Sequence, residues 1–277
     1  MPATAQGASG EPAATTPPAA AEAAAEADGP GTDAILSLQD VVKRFGRLAA
    51  LDGLSFDVHA GEIFGIAGPN GAGKSTLLNV ATGVLKPDGG TIVFEGEAIG
   101  GRAPHRICRQ GIARTFQIPQ VFASMSIREN VAIGAAFGLA GKPDAGAGEA
   151  QQVDAVLDLT GLAAKQNAPA GKVDLLTRKM TMLSAALATR PKLVFMDEPL
   201  AGFTRDEITR FADLILHLHA SLGITFVLVE HKIRALTRLS HRIMIVHQGR
   251  RIALDRPEAV LSDSHVIEVY LGTEYRA

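Results

Sequence analysis

The sequence predicts an α/β fold: a phosphate-loop (P-loop) core with a mainly parallel sheet, an N-terminal antiparallel β subdomain and an inserted helical subdomain. Three observations lead there. The stretch Gly68-Pro69-Asn70-Gly71-Ala72-Gly73-Lys74-Ser75-Thr76 fits G-x-x-x-x-G-K-[ST] at each fixed position. It lies between Ile63-Phe64-Gly65-Ile66-Ala67, an apolar run read as a buried strand, and Thr76 to Ala81, read as a helix. Farther along, strand-sized apolar runs alternate with helical patterns, as in a mainly parallel sheet covered on both faces.

In chain order, residues 1 to 33 are mostly Ala, Pro, Gly, Thr and Glu and are expected to form a disordered tail. No Lys or Arg precedes Lys43, so the charged start of a signal peptide is missing. The folded domain is expected over 34 to 277. Ile35, Leu38 and Val41 open strand-like material continued by Leu54 to Val58, with turns expected at Gly46 and Gly53. After the phosphate loop, Lys86-Pro87-Asp88-Gly89-Gly90 turns the chain into a strand at Thr91 to Phe94, and Pro104 begins a helix. Gly111 to Gln117 reads as a strand ending at an exposed polar residue.

Residues 118 to 183 change to helices and loops, the expected insertion. Ser126-Ile127-Arg128-Glu129 is a capping box, 141 to 149 a Gly/Ala-rich surface loop, and Gln151 to Leu162 an amphipathic helix. Leu176, Met180, Leu183 and Leu187 repeat at helical spacing, which makes Met180 core packing. Lys192 to Glu198 is a buried strand ending in two carboxylates. Thr204 then caps a helix that Gly223 stops, and strands follow at Ile224 to Glu230, Ile243 to His247 and Arg251 to Leu254, with a helix from Ile233.

Composition narrows the function. A chain of 277 residues with 47% hydrophobic content can bury one large core. Lys plus Arg number 27 against 29 Asp plus Glu, so no net field attracts nucleic acid, and none is expected as a partner. The single cysteine, Cys108, allows no intramolecular disulfide. Val131 to Ala140, the longest apolar run, falls short of the roughly 18 to 20 residues a membrane-spanning helix needs.

The chemistry gathers at the phosphate loop. Its glycines let backbone amides point at phosphate oxygens beside a helix N-terminus, Lys74 neutralises the β- and γ-phosphates, and the Ser75 hydroxyl ligates Mg²⁺. Asp197, at the end of an apolar strand, is the expected second holder of that Mg²⁺, and Glu198 is placed to orient or deprotonate an attacking water. His231 follows a strand to the same sheet edge, within reach of the γ-phosphate as a donor. The other histidines read as structural or surface residues, and no His/Cys spacing resembles a metal site.

These pieces resemble the ATP-binding cassette (ABC) family over Ile35 to about Thr273. Phe45 matches the aromatic that stacks on adenine, Gln117 the Q-loop glutamine that acts in catalysis and on Mg²⁺, Asp197-Glu198 the Walker B pair and His231 the switch histidine. Arg114-Thr115-Phe116-Gln117, Glu129-Asn130-Val131, Glu198-Pro199-Leu200-Ala201-Gly202, Val229-Glu230-His231 and Val269-Tyr270-Leu271-Gly272 are similar to the ATPases of branched-chain amino acid and related amide importers. The resemblance implies ATP and Mg²⁺, membrane-spanning permease subunits, a second ATPase subunit, a periplasmic or extracellular solute-binding protein acting indirectly, and a peripheral place on the cytoplasmic face of the inner (plasma) membrane.

One motif departs from the family. Where it carries LSGGQ, this chain has Val173-Asp174-Leu175-Leu176-Thr177, so the serine and the key glycine are replaced. Asp174 is expected to oppose a partner's phosphate by roughly 4 kcal/mol per unit-charge pair at about 4 Å and an effective dielectric of about 20. A heterodimer, with a partner supplying an ordinary signature, is therefore the expected assembly. The alternative is a regulatory or structural module that closes on ATP but hydrolyses it poorly.

Overall fold

The computed structural model describes residues 34–139, 145–231 and 233–268. Expectations for the tail over 1–33, for 141–144 and for Val269 to Gly272 fall outside the described residues.

Strands β1 (Ala34–Phe45) and β2 (Leu48–His59) form a hairpin that turns at Gly46. Strand β3 (Ile63–Ala67) runs into the phosphate loop and helix α1 (Lys74–Ala81). Strands β4 (Gly89–Phe94) and β5 (Glu97–Ala98) return to the first hairpin and complete a four-stranded antiparallel sheet, ordered β2-β1-β4-β5. Helix α2 (Pro104–Gln110), with Pro104 in its first turn, precedes β6 (Ile112–Thr115).

The helical stretch consists of α3 (Ile127–Leu139), α4 (Ala145–Leu159) and α5 (Leu175–Ala188). There follow β7 (Leu193–Asp197), α6 (Arg205–Leu222), β8 (Thr225–Val229), the short α7 (Ile233–Leu236), β9 (Arg242–His247), β10 (Arg250–Asp255), α8 (Pro257–Ser262) and α9 (Ser264–Val266). The second sheet has six strands in the order β10-β9-β3-β8-β7-β6, all parallel except β10, which pairs antiparallel with β9.

The period-two alternation of these strands explains their unbroken apolar runs. Ile63, Val194, Met196, Phe226, Leu228, Ile243 and Ile245 face the core shared with α3 to α6. Phe64, Ile66, Leu193, Phe195, Val227, Val229, Met244 and Val246 face the opposite way, onto α1 and the antiparallel sheet. Both sides are thus covered, and the strand ends that carry Asp197, Glu230 and the phosphate loop gather at one edge, between the ends of β3, β7 and β8. Ligands bind at such carboxyl edges because the loops there are free to vary while the strands stay fixed.

Both capping boxes form. Ser126 Oγ accepts the Glu129 N–H at 3.2 Å while Glu129 Oε2 accepts the Ser126 N–H at 2.7 Å; Thr204 and Glu207 repeat the exchange at α6. Two expectations are corrected. Gly53 is not a turn: Val41 pairs with Leu54 but Lys43 with Leu51, so Gly53 lies in a bulge inside β2. Residues 145–149 belong to α4 rather than to a loop, as the first turns of the helix that Val153 and Val156 anchor in the core. Helix α5 carries Leu176, Met180, Leu183 and Leu187 as their helical spacing predicts, with Leu187 and Ala188 buried in its last turn.

Candidate nucleotide site

After β3 the chain doubles back through residues 68–73 before α1 starts. Two glycines make that path sterically possible. At Gly68 a Cβ would lie 2.2 Å from the Val246 carbonyl oxygen; at Gly73, with φ +104°, it would lie 2.3 Å from that of Ala50. Because Gly73 is also the N-cap of α1, no side chain accepts from the first-turn amides, and no acidic residue sits in that turn. Amides at the positive end of a helix are then available to an anion. The Gly249 N–H donates to the Ala72 oxygen at 2.9 Å, and the Asp52 N–H to the Gly249 oxygen at 3.0 Å, tying the loop to its neighbours.

Lys74 is buried under this loop, where its Nζ donates to the carbonyls of Gly68 at 2.6 Å and Pro69 at 2.9 Å. Burial pulls its pKa below the usual lysine value, against the opposing fields of Glu198, Asp197 and Glu230. A bound phosphate would oppose that desolvation with a full counter-charge. Outside the loop opens a cavity of about 610 Å³, lined by Phe45, Leu48, Ala50, residues 70–76, Glu198 and Gln248. Phe45, half exposed at the end of β1, presents an aromatic surface there, while Asn70, Gly71, Ser75 and Thr76 supply polar lining.

Asp197 ends β7 with its Oδ2 accepting from Arg114 Nη2 at 3.0 Å; the two side chains are only 14% and 10% exposed. Arg114 stands on β6, donates to Asn79 Oδ1 on α1 at 2.6 Å, and packs against Phe116 with its guanidinium carbon 4.9 Å from the ring centroid. Glu198 adopts φ +43°, a region that costs a non-glycine residue about 1 kcal/mol or more. Its N–H donates to the Val229 oxygen at 2.8 Å. Gln117 Nε2 donates to Glu198 Oε2 at 2.6 Å, and His231 Nδ1 lies 3.6 Å from the same oxygen. An amide and an imidazole thus converge on one carboxylate, an arrangement able to orient a water and accept its proton.

Ser75, Asp197 and the Gln117 amide oxygen are hard oxygen donors, the set that suits Mg²⁺. Among the described residues no group of three or more His, Cys, Asp or Glu could hold a metal by itself. A cation here would share its coordination with nucleotide oxygens, as Mg²⁺ commonly does.

Asp174 is the N-cap of α5: its Oδ1 accepts the Thr177 N–H at 2.7 Å, and its Oδ2 lies 3.9 Å from Lys165 Nζ. The Thr177 amide holds its carboxyl below the usual range, so it is charged at neutral pH. With 58% of the side chain exposed and Lys165 beside it, the charge is screened, and the figure of about 4 kcal/mol is an overestimate.

The structure therefore brings Lys74, Ser75, Glu198 and Phe45 to one cavity, and Gln117 and His231 to Glu198. Sequence reasoning gave no role to Arg114, although it stands three residues before Gln117, nor to the buried Lys179 and Glu230. The signal for the last two was a charged residue inside an apolar helix face and one at the end of an apolar strand.

A profile of the ABC transporter family matches residues 51–201. A probable branched-chain amino acid transport ATP-binding protein, LivG of Methanocaldococcus jannaschii, is 35% identical over 255 residues, spanning 86% of this chain and 97% of its own. The high-affinity branched-chain amino acid transport ATP-binding protein LivG of Escherichia coli K12 is 31% identical over 249 residues, spanning 86% and 98%. Among solved structures, a nucleotide-free ATP-binding cassette from an ABC transporter superposes with a TM-score of 0.76 at 35% identity, over 86% of this chain and 98% of that one. The ADP conformation of the cassette MJ1267 gives 0.77 at 34% identity, over 87% and 100%. Since profile, relatives and folds agree across the phosphate loop and the carboxylates opposite it, the chain belongs to the ABC transporter family as one of its ATP-binding cassettes, ATPases coupled to transport.

Proposed function

We propose that this chain is the ATP-binding subunit of an importer of branched-chain amino acids or related small polar solutes. The observation that carries this reading is the convergence of Gln117 and His231 on Glu198 beside the phosphate-loop cavity, in a chain whose relatives are named for branched-chain amino acid transport. ATP lies along the cavity, its adenine on Phe45 and its phosphates against the amides of residues 68–76, with Lys74 on the β- and γ-phosphates. Glu198 orients and deprotonates the attacking water, Gln117 and His231 hold its carboxylate, and His231 donates to the γ-phosphate. Ser75, Gln117 and Asp197 would hold Mg²⁺, which neutralises phosphate charge when bound.

No helix among the described residues is long and apolar enough to cross a membrane. Attachment to the cytoplasmic face of the membrane then falls to permease subunits, with a solute-binding protein delivering cargo from the other side. Ile118 and Phe122, 71% and 59% exposed, support a permease contact along Gln117 and the helices after it. Cross-links from residues 118–130 to a permease subunit in the assembled complex check this surface, and a complex that gives none moves the contact elsewhere.

The charged cap at Asp174 supports pairing with a second, different ATPase subunit. That partner would give this chain's phosphate loop an ordinary signature. Co-purification with its partners and ATP-driven uptake in vesicles test the whole reading. A complex that hydrolyses ATP yet imports neither leucine, isoleucine, valine nor a related polar solute overturns the cargo.

A further inference from the structure

Lys179 is 2% exposed on α5, and its ammonium sits among backbone carbonyls. It donates to the Pro199 oxygen at 2.8 Å, to the Ala201 oxygen at 2.9 Å and to the Glu198 oxygen at 3.3 Å. An ammonium has three donors and no acceptor, so these carbonyls engage it fully. Burial lowers its pKa, with Glu230 and Glu198 acting in the opposite direction. Glu230, 1% exposed, accepts the Leu200 N–H of the same segment on its Oε1 at 2.9 Å. Residues 198–201 are thus held at three carbonyls by a buried cation and at one amide by a buried carboxyl.

We infer that Lys179 is a positioning residue for Glu198, fixing through its carbonyl contacts the backbone turn that aims the Glu198 carboxylate at the cavity. Carbonyl oxygens that converge on one point repel one another unless a cation lies between them. The positive φ of Glu198 is a conformation that persists only where its surroundings over-determine it, and Lys179 is the group that gathers them.

This inference rests on the role given to Glu198 above, and the experiment separates the two. In the assembled complex, Lys179→Met is expected to lower kcat by about 10²-fold, the effect of misplacing a reacting group by about an ångström, with KM for ATP within about twofold. In a Glu198→Gln background the same change is expected to cost less than about twofold, because the group it positions is already gone. Lys179→Arg, which keeps a cation with several donors, should recover most of the turnover. If Lys179→Met does not assemble, Lys179→Gln goes through the same cycle and is judged by the same criterion. An unchanged kcat, a loss confined to KM, or an equal loss in both backgrounds overturns the positioning role. A Glu198→Gln complex with ordinary turnover instead overturns the reading of Glu198.

Discussion

Gln117 Nε2 reaches Glu198 Oε2 at 2.6 Å across 81 residues of sequence, joining the loop beyond β6 to the residue that follows β7. The contact leaves Glu198 anchored whether its side chain ends in a carboxylate or an amide. Glu198→Gln should therefore keep nucleotide affinity while removing the base, and turnover in the assembled complex should fall by about 10²- to 10⁴-fold. Parallel measurements of ATP binding and phosphate release check it; unaffected turnover would remove Glu198 from the mechanism.

Lys74 is the buried cation of the phosphate loop, and its burial is tolerable in the free chain only because the Gly68 and Pro69 carbonyls face it. Lys74→Ala leaves the phosphates with amide dipoles alone, and ATP affinity should drop by about 10- to 100-fold, the range of a lost charge-assisted hydrogen bond. Isothermal titration of the purified chain decides this, and equal affinity in the two proteins would be incompatible with the site.

Arg114 and Asp197 are largely buried partners. Removing the arginine by Arg114→Ala strands a carboxylate in the interior and should cost about 3 kcal/mol, on the order of 10 °C in Tm. Adding Asp197→Asn should give back part of that loss, since the uncompensated charge is then gone. Thermal unfolding of the single and double variants tests the pair; additive losses would mean the two side chains do not share an interaction.

Burial raises the Glu230 pKa, and its Oε2 has no hydrogen-bond partner among the described residues. A carboxyl whose folded pKa lies above its unfolded value binds more protons when folded, so it favours the fold at pH below the unfolded value and loses that contribution as pH rises through the folded one. Glu230→Gln does not titrate. The Tm of the variant minus that of the wild type should accordingly be larger at pH 8 than at pH 5. A difference that is flat across this range, or that grows toward acid, would show that Glu230 is not buried in its charged form.

Asp174 occupies the amide at the start of α5 with its own carboxylate. Replacing it in the double change Asp174→Ser with Leu176→Gly should strengthen ATP-dependent self-association and raise the turnover of the isolated chain. Light scattering with and without ATP measures the first and phosphate release the second. A wild-type chain that already dimerises with ATP and hydrolyses at two equivalent sites would contradict the heterodimer.

The sequence by itself determined whatever depends on neighbours within a turn or on simple alternation. The phosphate loop was legible because its glycines, Lys74 and Ser75 stand at fixed spacings within one stretch, and both capping boxes because their partners stand three residues apart. The buried parallel strands could be read from runs such as Leu193 to Met196, since a strand covered on both faces is apolar throughout. Tertiary structure alone decided the pairings that make the site. Arg114 meets Asp197 because β6 lies beside β7 in register, with Thr115 opposite Met196. Lys179 meets Glu198 to Ala201 because α5 packs beneath that turn, and no spacing in the sequence encodes the distance. The bulge at Gly53 was likewise hidden, because a glycine with positive φ serves a turn or a bulge equally well and only the partner strand's register tells them apart.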